Sequence, residues 1–356
     1  MELDIARIAI YILGYFIVVV SLVPLIRSDN WVFRIFEYPR AQKLLINFVL
    51  LVGFVLVARW EHAHETVFAA ILAANLLYLS YQVYPYTIFA KRQLKTYKQP
   101  PVAGKHFKLL ISNVYQENRE VDRCLECVKK HQPDLLILVE TDKWWKSSLS
   151  SLEKEYPYRV LNPLENTYGM LLYSKFELID PSVKYLIEKE IPSIHTKVKL
   201  PSGDIFHLYS LHPQPPVPQE NPRSTERDAE ILTIAKEAKA CANPVVVAGD
   251  LNDVAWSYTT ELFMKVSGLL DPRRGRGFFN TFHAKHWFLR WPLDHVFCSE
   301  HFQLVDLKRL PPMGSDHFPI LVELGLNIEQ ADQNREEQLE AAPEEAEQAE
   351  EKIARA

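Results

Sequence analysis

Cysteine is scarce in this chain: four occur in 356 residues, at positions 124, 127, 241 and 298. Cys124 and Cys127 form a C-x-x-C, but no second pair follows at zinc-finger spacing, and two thiols alone do not make a zinc site. They fall in Val121–Val128, whose pattern is that of an amphipathic helix, so helix packing is their expected role. A broad basic face is missing as well. The net charge is −5, and from Asn327 onward ten acids stand against Arg335, Lys352 and Arg355. The rest of the chain is close to neutral, which speaks against the electrostatic footprint of a duplex-binding protein. A third absence concerns processing. No small-residue cleavage site follows the first apolar run, so that run does not read as a removable signal peptide.

What is present begins with three apolar runs, Ile8–Ile26, Leu44–Ala58 and Thr66–Phe89. The first and third have the length of a bilayer span, and the second is short but extended in character by Trp60. Tyr78, Tyr81, Tyr84 and Tyr86 gather at one end of the third, as expected at a membrane interface. The alternative, a helical bundle buried in a soluble protein, would have to hide all three runs in a small core. Arg27, Arg34, Arg40 and Lys43 follow the first run and Lys91, Arg92, Lys95 and Lys98 follow the third. The opposite side carries only Arg7 and Arg59. By the positive-inside rule the bulk of the chain then faces the cytoplasm. His62, His64 and Glu65, between the second and third runs, read as an exposed polar loop.

Gln99-Pro100-Pro101 marks a linker. Beyond it, short β-rich runs alternate with helical patterns: strands over Phe107–Val114, Leu135–Val139, Met170–Tyr173, Ile194–Leu200, Ile205–Leu211, Val245–Ala248, Leu293–Cys298 and Ile320–Leu324, and helices over Val121–His131 and Thr225–Ala240. Leu135–Val139 and Val245–Ala248 are apolar throughout, the mark of strands buried on both faces. The turn Pro201-Ser202-Gly203-Asp204 reads as a hairpin. This organisation predicts a membrane anchor over 1–98, a layered α/β domain with mixed sheets over 99–326, and an acidic tail over 327–356 with no apolar face, expected to be disordered.

Polar residues recur where the apolar strands end: Asn113, Glu140, His212, Asp250 with Asn252, Asp294, and the pair Asp316-His317. Strand ends are where one side of a sheet gathers distant residues into a site. Each alone has an ordinary reading as a loop or turn residue; six such sites in order do not. Carboxylate and amide oxygens suit a hard cation such as Mg²⁺ or Mn²⁺.

The segments Val247-Ala248-Gly249-Asp250-Leu251-Asn252 and Gly314-Ser315-Asp316-His317-Phe318-Pro319, supported by Leu138-Val139-Glu140 and Leu293-Asp294-His295-Val296-Phe297, resemble the endonuclease/exonuclease/phosphatase superfamily over Lys105–Leu324. With the apolar runs, the chain is similar to a membrane-associated bacterial branch, which implies a multi-pass protein of the bacterial inner membrane. The resemblance implies a four-layer α/β/β/α sandwich and a role for each residue. Glu140 would be the main metal carboxylate, Asn113 its neighbour, and Asp316 a second acid near the metal. His212 would contact the scissile phosphate or leaving group. Asp250 and Asn252 would position water and phosphate, and Asp294 would orient His317. Either Asp250 or His317 could take the proton of the attacking water. His212 stands where apurinic endonucleases carry an aromatic residue, which turns the reading away from abasic-site repair. Arg273, Arg274 and Arg276 form the one dense basic cluster and are candidates to hold a substrate phosphate or headgroup, with a solvated loop as the alternative. The implied activity is metal-dependent hydrolysis of a phosphodiester or phosphomonoester, with a lipid headgroup or small phosphoester as substrate. A Mg²⁺-dependent nuclease is the second reading. A catalytically inactive membrane scaffold is the third, and it leaves six polar strand ends without a purpose.

Overall fold

The computed structural model describes residues 2–98 and 102–356; the linker expected at Gln99-Pro100-Pro101 lies outside the described residues. Three long helices come first: α1 (Glu2–Leu22), then, after the short α2 (Trp31–Arg34), α3 (Arg40–Val57) and α4 (Ala63–Val83). All three are long and apolar enough to cross a membrane, and only 22–28% of each span is buried within the protein. Their outward faces carry Ile8, Ile12, Phe16, Val49, Leu56 and Leu77 exposed. The alternative of a bundle buried in a soluble core is therefore not what forms: the apolar surface points out, where a bilayer would cover it. Inside the bundle, Asn75 Nδ2 donates to Asn47 Oδ1 (3.0 Å) and Ser21 Oγ (3.3 Å), and Asn47 Nδ2 donates to the Leu72 carbonyl (2.9 Å). Such interhelical amide contacts hold helices together where apolar packing gives no preference over lipid.

The second part is two sheets packed face to face. In the first, β1 (His106–Asn113), β2 (Leu135–Val139), β3 (Tyr158–Asn162) and β4 (Met170–Ser174) are joined by two strands from near the chain end. The second contains β5 (Glu177–Lys184), β6 (Ser193–Lys199), β7 (Ile205–Leu211), β8 (Val245–Asp250) and β9 (Asp294–Cys298) in sequence order. β10 (Phe302–Arg309) and β11 (Ile320–Leu326) complete the first sheet in the order β10-β11-β1-β2-β4-β3. Helices α5 (Val121–His131) and α6 (Lys143–Ser148) cover the first sheet; α7 (Thr225–Ala240) and α8 (Tyr258–Ser267) cover the second. The four-layer sandwich expected from the sequence is the fold observed.

The strand periodicity explains it. Leu135, Ile137 and Val139 of β2 point into the space between the sheets, where they meet Phe206, Leu208, Val246 and Ala248. Leu136 and Leu138 point the other way, onto Cys124, Val128 and Trp145. A strand apolar at every position is thus one with a sheet on one side and helices on the other. Cys124 packs in that outer layer, as its helix pattern implied. The parallel pairs β1–β2 and β7–β8 lie at the centre of their sheets, so Asn113, Glu140, His212 and Asp250 leave the sandwich at the same edge.

The tail is not disordered. After α9 (Ala331–Arg335), α10 (Pro343–Ala354) lies on α7 and α8. Ala349 is buried among Leu232 and Leu262, with Ile353 alongside. Its charges are matched too: Lys352 bridges Asp29 (3.0 Å) and Asp228 (2.8 Å), Glu345 meets Lys265 (2.7 Å), and Glu350 meets Lys236 (2.7 Å). The composition concealed a narrow Ala/Ile stripe, and the basic partners that neutralise the acids sit on other elements.

One buried acid sets a pH dependence. Glu230 of α7 is 4% exposed, and its Oε1 has no hydrogen-bond partner. Burial, with Glu188 nearby, pushes its carboxyl from 4.5 up to about 8. The folded state therefore holds a proton that the unfolded chain releases, so the group is without penalty below about pH 4.5 and increasingly destabilising as pH rises to about 8. Glu230→Gln is expected to match the wild type in thermal unfolding near pH ~5 and to exceed it near pH ~9. An equal difference at both pH values would refute this.

Candidate active site

Asp250 ends β8 and Asp294 begins β9, directly opposite each other in the antiparallel ladder, so their side chains emerge on one face. Gly249 before Asp250 cannot be replaced without distortion: its φ is +148°, and a Cβ there would lie 2.0 Å from the Leu211 carbonyl oxygen. That close approach is what brings β7, with His212 at its end, against β8. His317 follows the turn at Ser315 and is packed between the two carboxylates. Its Nδ1 lies 2.8 Å from Asp294 Oδ2 and its Nε2 3.5 Å from Asp250 Oδ2. Asp294 is itself set by Thr281, whose hydroxyl accepts the Leu293 and Asp294 N–H groups (3.2 and 3.1 Å).

From the first sheet, Asn113 reaches across. Its Nδ2 donates to Glu140 Oε1 (2.6 Å) and Asp250 Oδ2 (3.0 Å), and its Oδ1 accepts from the Tyr115 N–H (2.9 Å). The Gln116 N–H donates to the other oxygen of Glu140 (3.3 Å). Asn252 turns back on the site: its N–H donates to Asp250 Oδ1 (3.0 Å) and its Nδ2 to the Pro213 carbonyl (3.0 Å), beside His212. Glu140 (φ +57°) and Asn252 (φ +50°) both hold left-handed backbone, a strained state for these residues that recurs where side chains are aimed at a ligand.

The electrostatics divide the two imidazoles. Burial alone would lower His317, but Asp294 and Asp250 more than offset this and push it up to about 10, so it is a cation at neutral pH. Burial lowers His212 to about 4, only partly offset by Asp250, and its Nδ1 has no hydrogen-bond partner. His212 is a neutral imidazole beside the Tyr168 ring, centroids 5.3 Å apart. Burial raises Glu140 to about 7, against the Asn113 hydrogen bond and the nearby His317 charge, with Asp250 and Asp316 adding to the rise. Burial likewise raises Asp250 above the usual carboxylate range, opposed by His317. Groups whose environments push them apart in this way are the raw material of acid/base chemistry.

The residues fit a divalent metal. Asp250, Asp294 and His317 each offer a ligand atom within 4.8 Å of the others. Asp294 Oδ1 is buried without a partner. His317, held protonated by two carboxylates, is a poor ligand, whereas Glu140, Asp250 and the half-buried Asp316 supply hard oxygens with few opposing cations. An unneutralised acidic group of this kind is what a bound Mg²⁺ or Mn²⁺ would relieve.

The arginine cluster does not join the site. Arg273 is 1% exposed and bound to Asp271 (2.8 Å), His295 Nδ1 (2.7 Å) and the Asp294 carbonyl (3.2 Å), a strut behind β9. Arg276 donates to the carbonyls of Leu94 (2.6 Å) and Pro272 (3.0 Å). Arg274 points toward Tyr86 and the ends of the apolar helices. Their density in sequence reflects a turn whose side chains diverge. Conversely, Tyr168, Gln116 and Thr281 support the site, and no strand-end signal marks the first two. Tyr38, outside the catalytic part altogether, donates its hydroxyl to the Asn252 carbonyl (3.0 Å).

The Endonuclease/Exonuclease/phosphatase family matches residues 110–317, more than half of the chain and the whole of this constellation. The chain belongs to that family. Its members are hydrolases of phosphoester bonds, so the chain has the fold of an enzyme acting on such bonds. Among solved structures it is similar to an endonuclease/exonuclease/phosphatase protein of Beutenbergia cavernae (14% identity, TM-score 0.51, 63% of this chain and 72% of that one). It is also similar to the human Nocturnin catalytic domain (16%, 0.50, 63% and 95%) and to D. rerio TDP2 solved with a single-strand DNA product (15%, 0.51, 62% and 99%). At these identities the likeness speaks to the fold alone. No curated protein matches the chain.

Proposed function

We propose that this protein is a membrane-anchored, divalent-metal-dependent phosphoesterase whose substrate is a lipid headgroup or another small phosphoester at the bilayer surface. The observation that carries the reading is the seating of the apolar helices against the catalytic edge. Tyr38, in the connection between α1 and α3, holds the Asn252 carbonyl, and Gln42 at the start of α3 donates to the Phe288 carbonyl (2.8 Å). Trp287 is 81% exposed on that same loop, three residues before Arg290. A site braced by residues that flank apolar helices long enough to cross a membrane would lie within reach of a substrate in the bilayer.

Glu140, with Asp316 and Asp250, would hold the metal, which when bound neutralises charge on the phosphoryl oxygens and lowers the pKa of a bound water. Asp250, its carboxyl raised by burial, accepts the proton of the attacking water. His317 cannot do so, being already protonated and engaged at both nitrogens; as a cation it stabilises the charge that builds on the phosphate. Asp294 fixes its ring. Neutral His212 contacts a phosphate oxygen or the leaving group, held in place by Tyr168.

Full-length protein in lipid nanodiscs, supplied with Mg²⁺ or Mn²⁺, is expected to hydrolyse an aryl phosphodiester and lose at least about 10²-fold in rate with chelator. In a panel of sphingomyelin, phosphoinositides, nucleotides and plasmid DNA, the highest kcat/KM should fall on a lipid or small phosphoester. Preferred cleavage of plasmid DNA would replace this reading with the nuclease, and chelator-insensitive turnover would remove the metal from it.

A further inference from the structure

The three apolar helices meet the catalytic domain around a cavity of about 310 Å³. Arginines from three separate parts of the chain line it: Arg27 after α1, Arg40 in the first turn of α3, and Arg274 from the catalytic domain. Tyr78, Tyr81 and Trp256 supply much of the remaining wall. Two acids also face it, but both are engaged. Glu37 pairs with Arg34 (3.3 Å) and Glu261 with Lys265 (2.9 Å).

Arg40 is the decisive group. It is 8% exposed, its Nε is buried without a partner, and its guanidinium forms no ion pair or hydrogen bond among the described residues. The Tyr78 hydroxyl beside it is likewise buried without a partner. Arg274 finds only the Met264 sulfur, at 4.0 Å, and the Tyr86 ring, at 5.8 Å. A buried guanidinium without an anion is strongly unfavourable unless a ligand supplies one. The guanidinium fork matches two phosphate oxygens, and a tyrosine hydroxyl donates to a third. A cavity of this size lies at the lower end of the range for small-molecule sites, ~300–1,000 Å³.

We propose that this cavity is a second anion site, separate from the catalytic centre, that binds a phosphate-bearing headgroup between the membrane helices and the catalytic domain. None of the catalytic residues lines it. It sits where α1 ends, α3 begins and α4 ends in tyrosines, the level at which phospholipid phosphates lie around a bundle that crosses a bilayer. Only the lipid as source rests on the membrane reading; the phosphate chemistry stands without it.

The test uses full-length protein in detergent, exchanged with phosphatidylglycerol, phosphatidylcholine or inorganic phosphate and read by native mass spectrometry, without turnover. Wild type is expected to retain phosphatidylglycerol over phosphatidylcholine, and Arg40→Gln to weaken retention by about tenfold. Arg274→Gln, at a half-buried rim position that does not threaten the fold, should weaken it in the same direction. Hydrolysis of a soluble aryl phosphodiester should persist in both variants. Retention of inorganic phosphate with no lipid preference, lost in the same variants, supports the anion site and assigns it to a soluble ligand. Equal phosphatidylglycerol retention in wild type and both variants, or no retention of lipid or phosphate by the wild type, overturns the proposal.

Discussion

Asp250→Asn is expected to lower kcat/KM toward an aryl phosphodiester by about 10³-fold or more. The substitution keeps the shape of the side chain, and one oxygen can still accept the Asn252 N–H at 3.0 Å. What it removes is the carboxylate that faces His317 Nε2 at 3.5 Å and accepts from Asn113 at 3.0 Å. On the proposed mechanism three functions go together: a proton acceptor for water, an oxygen for the metal, and part of the negative charge that keeps His317 protonated. His317→Ala is expected to cost a comparable factor. Because the two residues act as one unit, the double variant should be little worse than either single one. Steady-state kinetics on the full-length protein, with circular dichroism to confirm an intact fold, decides the matter. Activity within about threefold of wild type in either single variant would mean that chemistry occurs elsewhere.

The second large effect lies outside the active site. Asp228, fully buried in α7, is the point at which three distant parts of the chain are tied. Arg34 from the connection after α1 donates to it at 2.6 Å, Lys352 from the tail helix at 2.8 Å, Thr259 of α8 at 2.9 Å, and Arg227 at 2.9 Å. Burial alone would raise its carboxyl, but Arg34, Arg227 and Lys352 hold it well below the usual range. Asp228→Ala leaves buried Arg34 without its main counter-charge and buried Arg227 with Asp253 alone. Loss of one member of such a buried network costs about 3–5 kcal/mol. Denaturant unfolding in detergent should show a loss of that order and earlier proteolysis of α10 than of the sandwich. A loss below about 1 kcal/mol would show that the network contributes little. Since the Arg34 segment continues into Tyr38 and its contact with Asn252, the variant is also expected to loosen the catalytic loop.

Most strands legible from the amino-acid pattern are interior ones, and β9, at the edge of its sheet but buried throughout, is legible too. β2 and β8 are buried on both faces, and their unbroken apolar runs announce it. β3, β5 and β10 were not legible. They are edge strands with exposed or half-buried positions. With one side free of pairing and much of the surface wet, nothing demands an apolar sequence. α8 escaped notice because its buried face begins with Thr259 and Thr260, which bond inward to Asp228 and Asp253.

The polar strand ends were readable for the same reason as the central strands. A charged or amide residue directly after a fully apolar run must lie at the sheet edge, and order along the chain then distinguishes a site from chance. Asn113, Glu140, His212, Asp250 and Asn252 stand at or just past the ends of β1, β2, β7 and β8, whereas Asp294 begins β9 and His317 precedes β11; the fold brings all seven to one edge. Division of labour among them was not readable. Whether Asp250 or His317 takes a proton depends on which is flanked by carboxylates, and that is a matter of distances between strands. Nor could the pattern separate Arg274, which reaches the cavity by the apolar helices, from Arg273 and Arg276, which are spent on backbone carbonyls and Asp271.

The sequence by itself determined the apolar runs, the layered α/β character and the list of polar residues beside the strands, because each depends on local periodicity or on what terminates it, while the four-layer sandwich followed from the family resemblance. Tertiary structure alone decided that the acidic tail folds back through Lys352 and Ala349, that the arginines disperse, and that Tyr38 reaches from the connection between the apolar helices to Asn252. Those outcomes rest on single charges and hydroxyls finding partners far away in the chain. Such pairings are specified by three-dimensional proximity and leave no period in the sequence that could be read.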